Sequence, residues 1–199
     1  ASHFDQVRDD IISIYRSGLL DDELYRDYIS DTLRDLPPEI ADARSIIVTS
    51  SPQPRLEVLF RWREKTVNAI VPPTYARGEE VLLRIERMLT ELARPEKYRF
   101  ARARIPLKTL AARSGLGAYG RNNIIYVDGM GSYHRLSAFI SDWPSDEDHW
   151  QERQLARKCE KCTACLNACP TGAVSNDRVL LRAHRCLTFH NEKDGKFPF

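Results

Sequence analysis

Cys159-Glu160-Lys161-Cys162-Thr163-Ala164-Cys165-Leu166-Asn167-Ala168-Cys169-Pro170 is the stretch from which the rest of the chain is read. Four of the five cysteines fall in this run, spaced C-x2-C-x2-C-x3-C-P. Soft thiolates at that even spacing wrap one corner of an iron–sulfur cubane, so that three irons each receive one sulfur. Structural zinc sites instead show paired C-x2-C knuckles separated by a longer loop. A set of buried thiols needs no regular spacing at all. The run therefore predicts a [4Fe–4S] cluster held by Cys159, Cys162 and Cys165, and electron transfer as the chemistry.

Cys169, followed by Pro170, does not readily turn back onto the same cubane, and this spacing assigns it to a second one. The fifth cysteine lies in Ala183-His184-Arg185-Cys186-Leu187. Alone it reads as a small buried hydrophobe, but in a chain already committed to clusters it reads as a ligand. Five thiols fill one cubane with one to spare and leave two cubanes short. Either another group completes a site, with His184 and His190 flanking Cys186, or the natural chain continues past Phe199. Continuation is the expectation, because the sequence stops in Lys196-Phe197-Pro198-Phe199.

The remaining composition sets bounds. The 199 residues carry a formal net charge of +2, with 42% hydrophobic and 29% charged. That balance affords a sizeable core and excludes a general DNA binder, which concentrates basic charge. No run of about 18 apolar residues is present to span a membrane. The amino-terminal ASHFDQVRDD has no basic-then-apolar leader pattern. Cysteines at metal spacing imply a reducing compartment, and cytoplasm is the expectation.

Outward from the cysteines, periodicity places the elements. Residues 4–36 read as helical, broken at Gly18 and ended by Pro37-Pro38. Ala43–Ser50 reads as a buried strand, and Arg55–Val71 as a hairpin turning at Arg63-Glu64-Lys65. Glu79–Ala93 is an amphipathic helix with Val81, Ile85, Met88, Leu89 and Leu92 on one stripe. Residues 107–113 form a short helix stopped by Ser114-Gly115-Leu116-Gly117. Ile124–Asp128 and Leu136–Ser141 read as strands joined at Gly129–Ser132. The acidic segment Ser145–His149 is a linker, dividing the chain into 1–150 and 151–199. The second piece is too short for a large core and depends on metal for its order.

Leu110-Ala111-Ala112-Arg113-Ser114-Gly115-Leu116-Gly117-Ala118-Tyr119-Gly120-Arg121-Asn122-Asn123 resembles the LA-x-x-GLG-x-x-G-(K/R)-N signature of the epoxyqueuosine reductase family. Gly131-Ser132 with Leu136, Cys169-Pro170-Thr171-Gly172-Ala173 and Arg185-Cys186 also match its pattern in order, and reductive dehalogenases share parts of it. The resemblance covers about residues 43–199. It implies an α/β fold: a nitroreductase-like sheet-and-helix domain over 1–150 and a ferredoxin-like module over 151–199, lacking that family's last cysteine segment. It further implies up to two [4Fe–4S] clusters, with Cys159, Cys162 and Cys165 on the first and Cys169 and Cys186 on the second. A corrinoid (cobalamin), an electron donor such as ferredoxin or flavodoxin, and a small-molecule or tRNA substrate complete the implied set.

One departure matters. The family's acid precedes the signature in an Asp-x-x-Pro element, whereas the stretch here is Arg102-Ala103-Arg104-Ile105-Pro106. Reductive cleavage of an epoxide or carbon–halogen bond needs a placed proton donor. With Val71-Pro72-Pro73-Thr74-Tyr75, this points to a less characterised branch. Two functions are therefore carried: an iron–sulfur reductase, and a non-catalytic electron carrier or redox sensor. No catalytic residue is assigned.

Tyr119, Gly120, Arg121, Asn122 and Asn123 are the candidate cofactor-binding residues, since glycines allow close backbone approach to a flat ligand or phosphate. A glycine-rich turn between helix and strand is the competing reading. Tyr75 and Arg77 could reach the same pocket or simply pack a loop. Arg99, Arg102, Arg104, Lys108 and Arg113 could face an anion or form a solvated face. His134, His184 and His190 are expected at the surface or hydrogen-bonded, and Tyr126 in the core.

Overall fold

The computed structural model describes residues 2–34, 36, 38–76, 78–145, 148–177 and 180–196. Its α-helices are α1 (Ser2–Arg16), α2 (Asp22–Leu24), α3 (Gly78–Ala93), α4 (Leu107–Arg113), α5 (Ala164–Ala168) and α6 (Leu187–Asn191). Its strands are β1 (Ser45–Pro52), β2 (Leu56–Trp62), β3 (Lys65–Val71), β4 (Phe100–Arg102), β5 (Ala118–Tyr119), β6 (Ile125–Tyr126) and β7 (His134–Ser141). The mixed α and β content agrees with the expected class. Two compact units divide the chain. The first comprises Ala1–Asp35, Arg104–Tyr126 and His149–Phe199; the second comprises Leu36–Ala103 and Val127–Asp148.

In the first unit, α1 ends at the expected break, where Gly18 takes φ +72 and a side chain would be strained. Asp21 restarts the helix by accepting the N–H groups of Glu23 and Leu24 at 3.2 and 3.3 Å. The helix then widens into a π turn over Tyr25–Ile29 and tightens into a 3-10 turn over Ser30–Leu33, rather than continuing as one α-helix. Pro37 of the expected stop lies outside the described residues. Val7 and Phe4 of α1 are buried, as are Leu110, Ala111 and Ala112 of α4.

Arg113, at the end of α4, is 7% exposed and pairs with Asp10 of α1 and with Glu152 at 2.8 Å. Its guanidinium also lies over the Trp150 ring, which stacks on His3 and donates to Gln6. This cation, once a candidate for an anionic ligand, is thus committed to protein carboxylates. Elsewhere in the unit, Lys193 pairs with Glu23 and covers Phe189, whose ring meets Tyr28 edge-on.

In the second unit, β7 is the central strand of an antiparallel sheet ordered β1-β7-β4. Phe139, Ile140 and Ser141 are fully buried there, and Phe100 of β4 meets Phe139 edge-on. β1 is half-buried rather than buried, because it forms an edge of this sheet. The strands expected around Gly129 do not pair with each other. β6 is two residues long and pairs with β5, while β7 pairs with β1 and β4.

The hairpin forms as its alternation predicts, with Trp62 opposite Lys65 and Arg63 taking φ +55 in the turn. Leu56, Val58, Phe60, Trp62 and Val67 fall on one face by the pairing, yet all five are exposed. The stripe on α3 is only partly covered: Val81, Ile85 and Leu89 are half-buried, whereas Met88 and Leu92 are 54% and 63% exposed. Arg102 bonds Glu86 and Glu79, and Arg99 bonds Asp142, so these cations are also paired within the fold. His134, expected at the surface or hydrogen-bonded, is 7% exposed on the central strand. Asp146 and Glu147 of the expected linker, and Arg77, lie outside the described residues.

Burial sets the mutational expectation for the second unit. Phe139→Ala should cost about 3–5 kcal/mol through the cavity it leaves, and Met88→Ala less than about 0.5 kcal/mol. Urea unfolding midpoints of the two variants check the contrast.

Candidate metal centre

The glycine-rich stretch and the lead into the cysteine run are stitched together by main-chain hydrogen bonds. The carbonyl of Arg113 accepts the Gln151 N–H at 2.8 Å, Tyr119 N–H donates to the Gln154 carbonyl at 3.0 Å, and Ala156 N–H donates to the Tyr119 carbonyl at 2.8 Å. Tyr119 and Leu155 form a parallel bridge through this exchange. Gly115 takes φ +76, and a Cβ there would stand 3.2 Å from the Gln151 amide. It ends α4 and admits the docked segment at once.

Arg121 extends the same strip to the first cysteine. Its Nη2 donates to the carbonyl of Cys159 at 3.0 Å and its Nη1 to the side chain of Asn176 at 2.9 Å. Asn122 donates to the Tyr126 hydroxyl at 3.2 Å and accepts the Ile124 N–H at 3.4 Å. Asn123 takes φ +60, a conformation asparagine tolerates better than most residues. A Cβ on Gly120 would lie 2.3 Å from the Tyr126 ring and 2.6 Å from Asn122, so glycine is required by packing at this point. Tyr126 is accordingly half-buried. The Tyr119 hydroxyl lies 3.3 Å from Thr109 Oγ1, and burial pushes the phenol above its usual range. The hydrogen-bonding side chains of Tyr119, Arg121 and Asn122 thus meet protein groups.

The cysteines sit on short helical turns. Cys159 closes a 3-10 turn begun at Arg157, with its N–H bonded to the Ala156 carbonyl at 2.7 Å. Cys165 lies on α5, and Cys169 ends that helix. Cys186 ends the 3-10 turn Ala183–Arg185 and begins α6. All five thiols are free; Cys162 is exposed and the others are half-buried. Among the described residues, no three His, Cys, Asp or Glu side chains stand together in a ligating arrangement.

Cys169 is set apart by its surroundings. Burial pushes its thiol up, but the backbone groups of Val174 and Thr171, the Thr171 hydroxyl and the Ala173 backbone outweigh it, bringing the thiol down to about 7. Gly172 makes this turn at φ +64, beneath Arg185. A sulfur cradled by donors is stabilised as thiolate, the form a metal needs. His184 pairs with Asp21 at 3.3 Å, and His190 Nε2 lies 2.9 Å from the His184 carbonyl, so both have protein partners. Sequence reading missed Asn176, Thr171 and the segment 154–156. Only Thr171 had a signal, as the hydroxyl residue following Cys-Pro.

The packing account of Gly120 is open to a direct check. Gly120→Ala should destabilise the chain by about 1–3 kcal/mol as an overpacked site. Tyr126→Ala in the same chain should relieve most of that loss in thermal unfolding. A penalty that persists in the double variant would mean the glycine serves something other than the Tyr126 ring.

No family model matches the chain. Over 91 residues it is 35% identical to the epoxyqueuosine reductase of Bacillus subtilis (strain 168), an alignment covering 46% of this chain and 22% of that protein. Its fold matches a crystal structure of selenomethionine-labelled epoxyqueuosine reductase with TM-score 0.70 and 23% identity, covering 98% of this chain and 52% of that one. It also matches epoxyqueuosine reductase solved with an epoxyqueuosine-modified tRNA-Tyr stem loop, with TM-score 0.66, 24% identity and the same coverages. The chain spans about half the length of these solved relatives. In sequence over part of its length, and in fold over nearly all of it, the chain is epoxyqueuosine reductase-like.

Proposed function

We propose that the chain is the iron–sulfur portion of a reductase resembling epoxyqueuosine reductase, with residues 151–199 as a ferredoxin-like module. The single observation that carries this is the C-x2-C-x2-C-x3-C-P run, whose last sulfur lies in a cradle of hydrogen-bond donors. By residue type and spacing, though not by a gathered arrangement among the described residues, the donor set suits a [4Fe–4S] cluster: Cys159, Cys162 and Cys165 would hold one, and Cys169 and Cys186 would serve another. When bound, such a cluster supplies electrons one at a time. The chain's own residues do the positioning. The Tyr119 backbone anchors residues 154–156, and the backbone and hydroxyl groups around Cys169 favour its thiolate by lowering the thiol to about 7. An electron donor such as ferredoxin or flavodoxin and a tRNA-class or small-molecule substrate belong to the same proposal, as does a reducing, cytoplasmic setting.

The corrinoid is a separate proposal resting on resemblance, since the described hydrogen bonds of Tyr119, Arg121 and Asn122 run to protein groups. A second reading, a non-catalytic electron carrier, is favoured by the stretch Arg102–Pro106. It offers no acid, and Arg102 is committed to Glu79 and Glu86.

Iron, acid-labile sulfide and zinc on anaerobically purified protein test the cluster. About four iron and four sulfide per chain are expected for one cubane, and Cys165→Ser should lose most of both. Zinc without sulfide would sink the reading. A cobalamin titration separates the two functions: a changed corrinoid spectrum on binding supports the reductase, and spectral indifference supports the carrier.

A further inference from the structure

The arginine of the glycine signature does not reach toward an open pocket. Its two terminal nitrogens are spent on opposite ends of the cysteine loop. Nη2 holds the main-chain carbonyl of Cys159, the first cysteine, and Nη1 holds Asn176, seven residues beyond Cys169. The other three cysteines of the run lie between these two points in sequence. A guanidinium can do this because its donors are fixed in a planar fork and address two acceptors at once; an ammonium is a single point of charge. The third donor, Nε, is buried without a partner among the described residues.

We infer that Arg121 is a positioning residue of the iron–sulfur loop: it clamps Cys159 to Asn176 and places a fixed positive charge beside the cysteines. This rests on the cluster reading above and goes beyond it, because it assigns the signature's arginine to the cluster rather than to a flat cofactor. Two consequences follow from the chemistry. A clamp across the loop slows loss of iron, as groups that orient metal ligands generally do. A nearby cation favours the state carrying one more electron, so it raises the reduction potential.

The test uses the full chain, loaded anaerobically with iron and sulfide, as wild type, Arg121→Gln, Arg121→Lys and Asn176→Ala. Far-ultraviolet circular dichroism confirms that each variant folds. Arg121→Gln should release iron to a chelator about ten-fold faster, the lower end of what such outer contacts contribute. Its cluster, reduced with dithionite and followed by electron paramagnetic resonance, should show a more negative midpoint potential. Arg121→Lys should keep the wild-type potential, since charge is retained, while still losing iron faster. Asn176→Ala should do the same to a smaller degree. A merely structural role would not separate potential from iron loss in this way.

If wild type loads but Arg121→Gln matches it in potential and iron release, the inference is overturned and the cluster reading stands. If wild type takes up neither iron nor sulfide, the cluster reading falls and takes the inference with it. Should Arg121→Gln fail to fold, the lysine and Asn176 variants decide: iron loss at the wild-type rate in both overturns the clamp.

Discussion

The main-chain pairing of Arg113 and Tyr119 with residues 151–156 is the constraint on which the first unit depends. It places a short strand beside the segment entering the cysteine run, using N–H and C=O groups that would otherwise need water or another partner. Backbone pairing suits this role because it fixes direction and register together. The parallel bridge at Tyr119 and Leu155 leaves the next turn, Arg157–Cys159, where Arg121 can hold its last carbonyl. Glycine at 115 and 120 is the steric condition for that approach: one makes room for Gln151, the other for the Tyr126 ring.

Charge is used in the same conservative way. Arg113, Arg102 and Arg99 could have formed a basic face, yet each is paired with carboxylates of its own unit. Arg113 itself is buried against an aromatic face, but Asp10 and Glu152 keep access to solvent, so the pairing is only partly desolvated. For Arg99 and Arg102 it is exposed, where such pairs contribute little stability. What the pairing does in both settings is remove free positive charge from candidate ligand surfaces.

Much of the local structure was legible because it depends on residue type at short range. The hairpin follows from alternation on both sides of Arg63-Glu64-Lys65, α4 from its apolar run and glycine stop, and the break after α1 from Gly18. The misses share one cause. Ile124–Asp128 has strand chemistry, but its partner is β5 and not β7, and propensity does not select partners. Met88 and Leu92 continue an apolar stripe that the fold leaves open.

The sequence by itself determined which groups are on offer: cysteines at a spacing that suits one corner of a cubane, a turn after Cys-Pro, and glycines where the chain must bend. Those are properties of a dozen neighbouring residues and survive any arrangement of the rest. Only the tertiary structure decided which surfaces these pieces meet. Whether Arg121 faces a cofactor or the carbonyl of Cys159 depends on the path of the chain between them. That path is set by hydrogen bonds and burial between residues far apart in sequence, which no local pattern records.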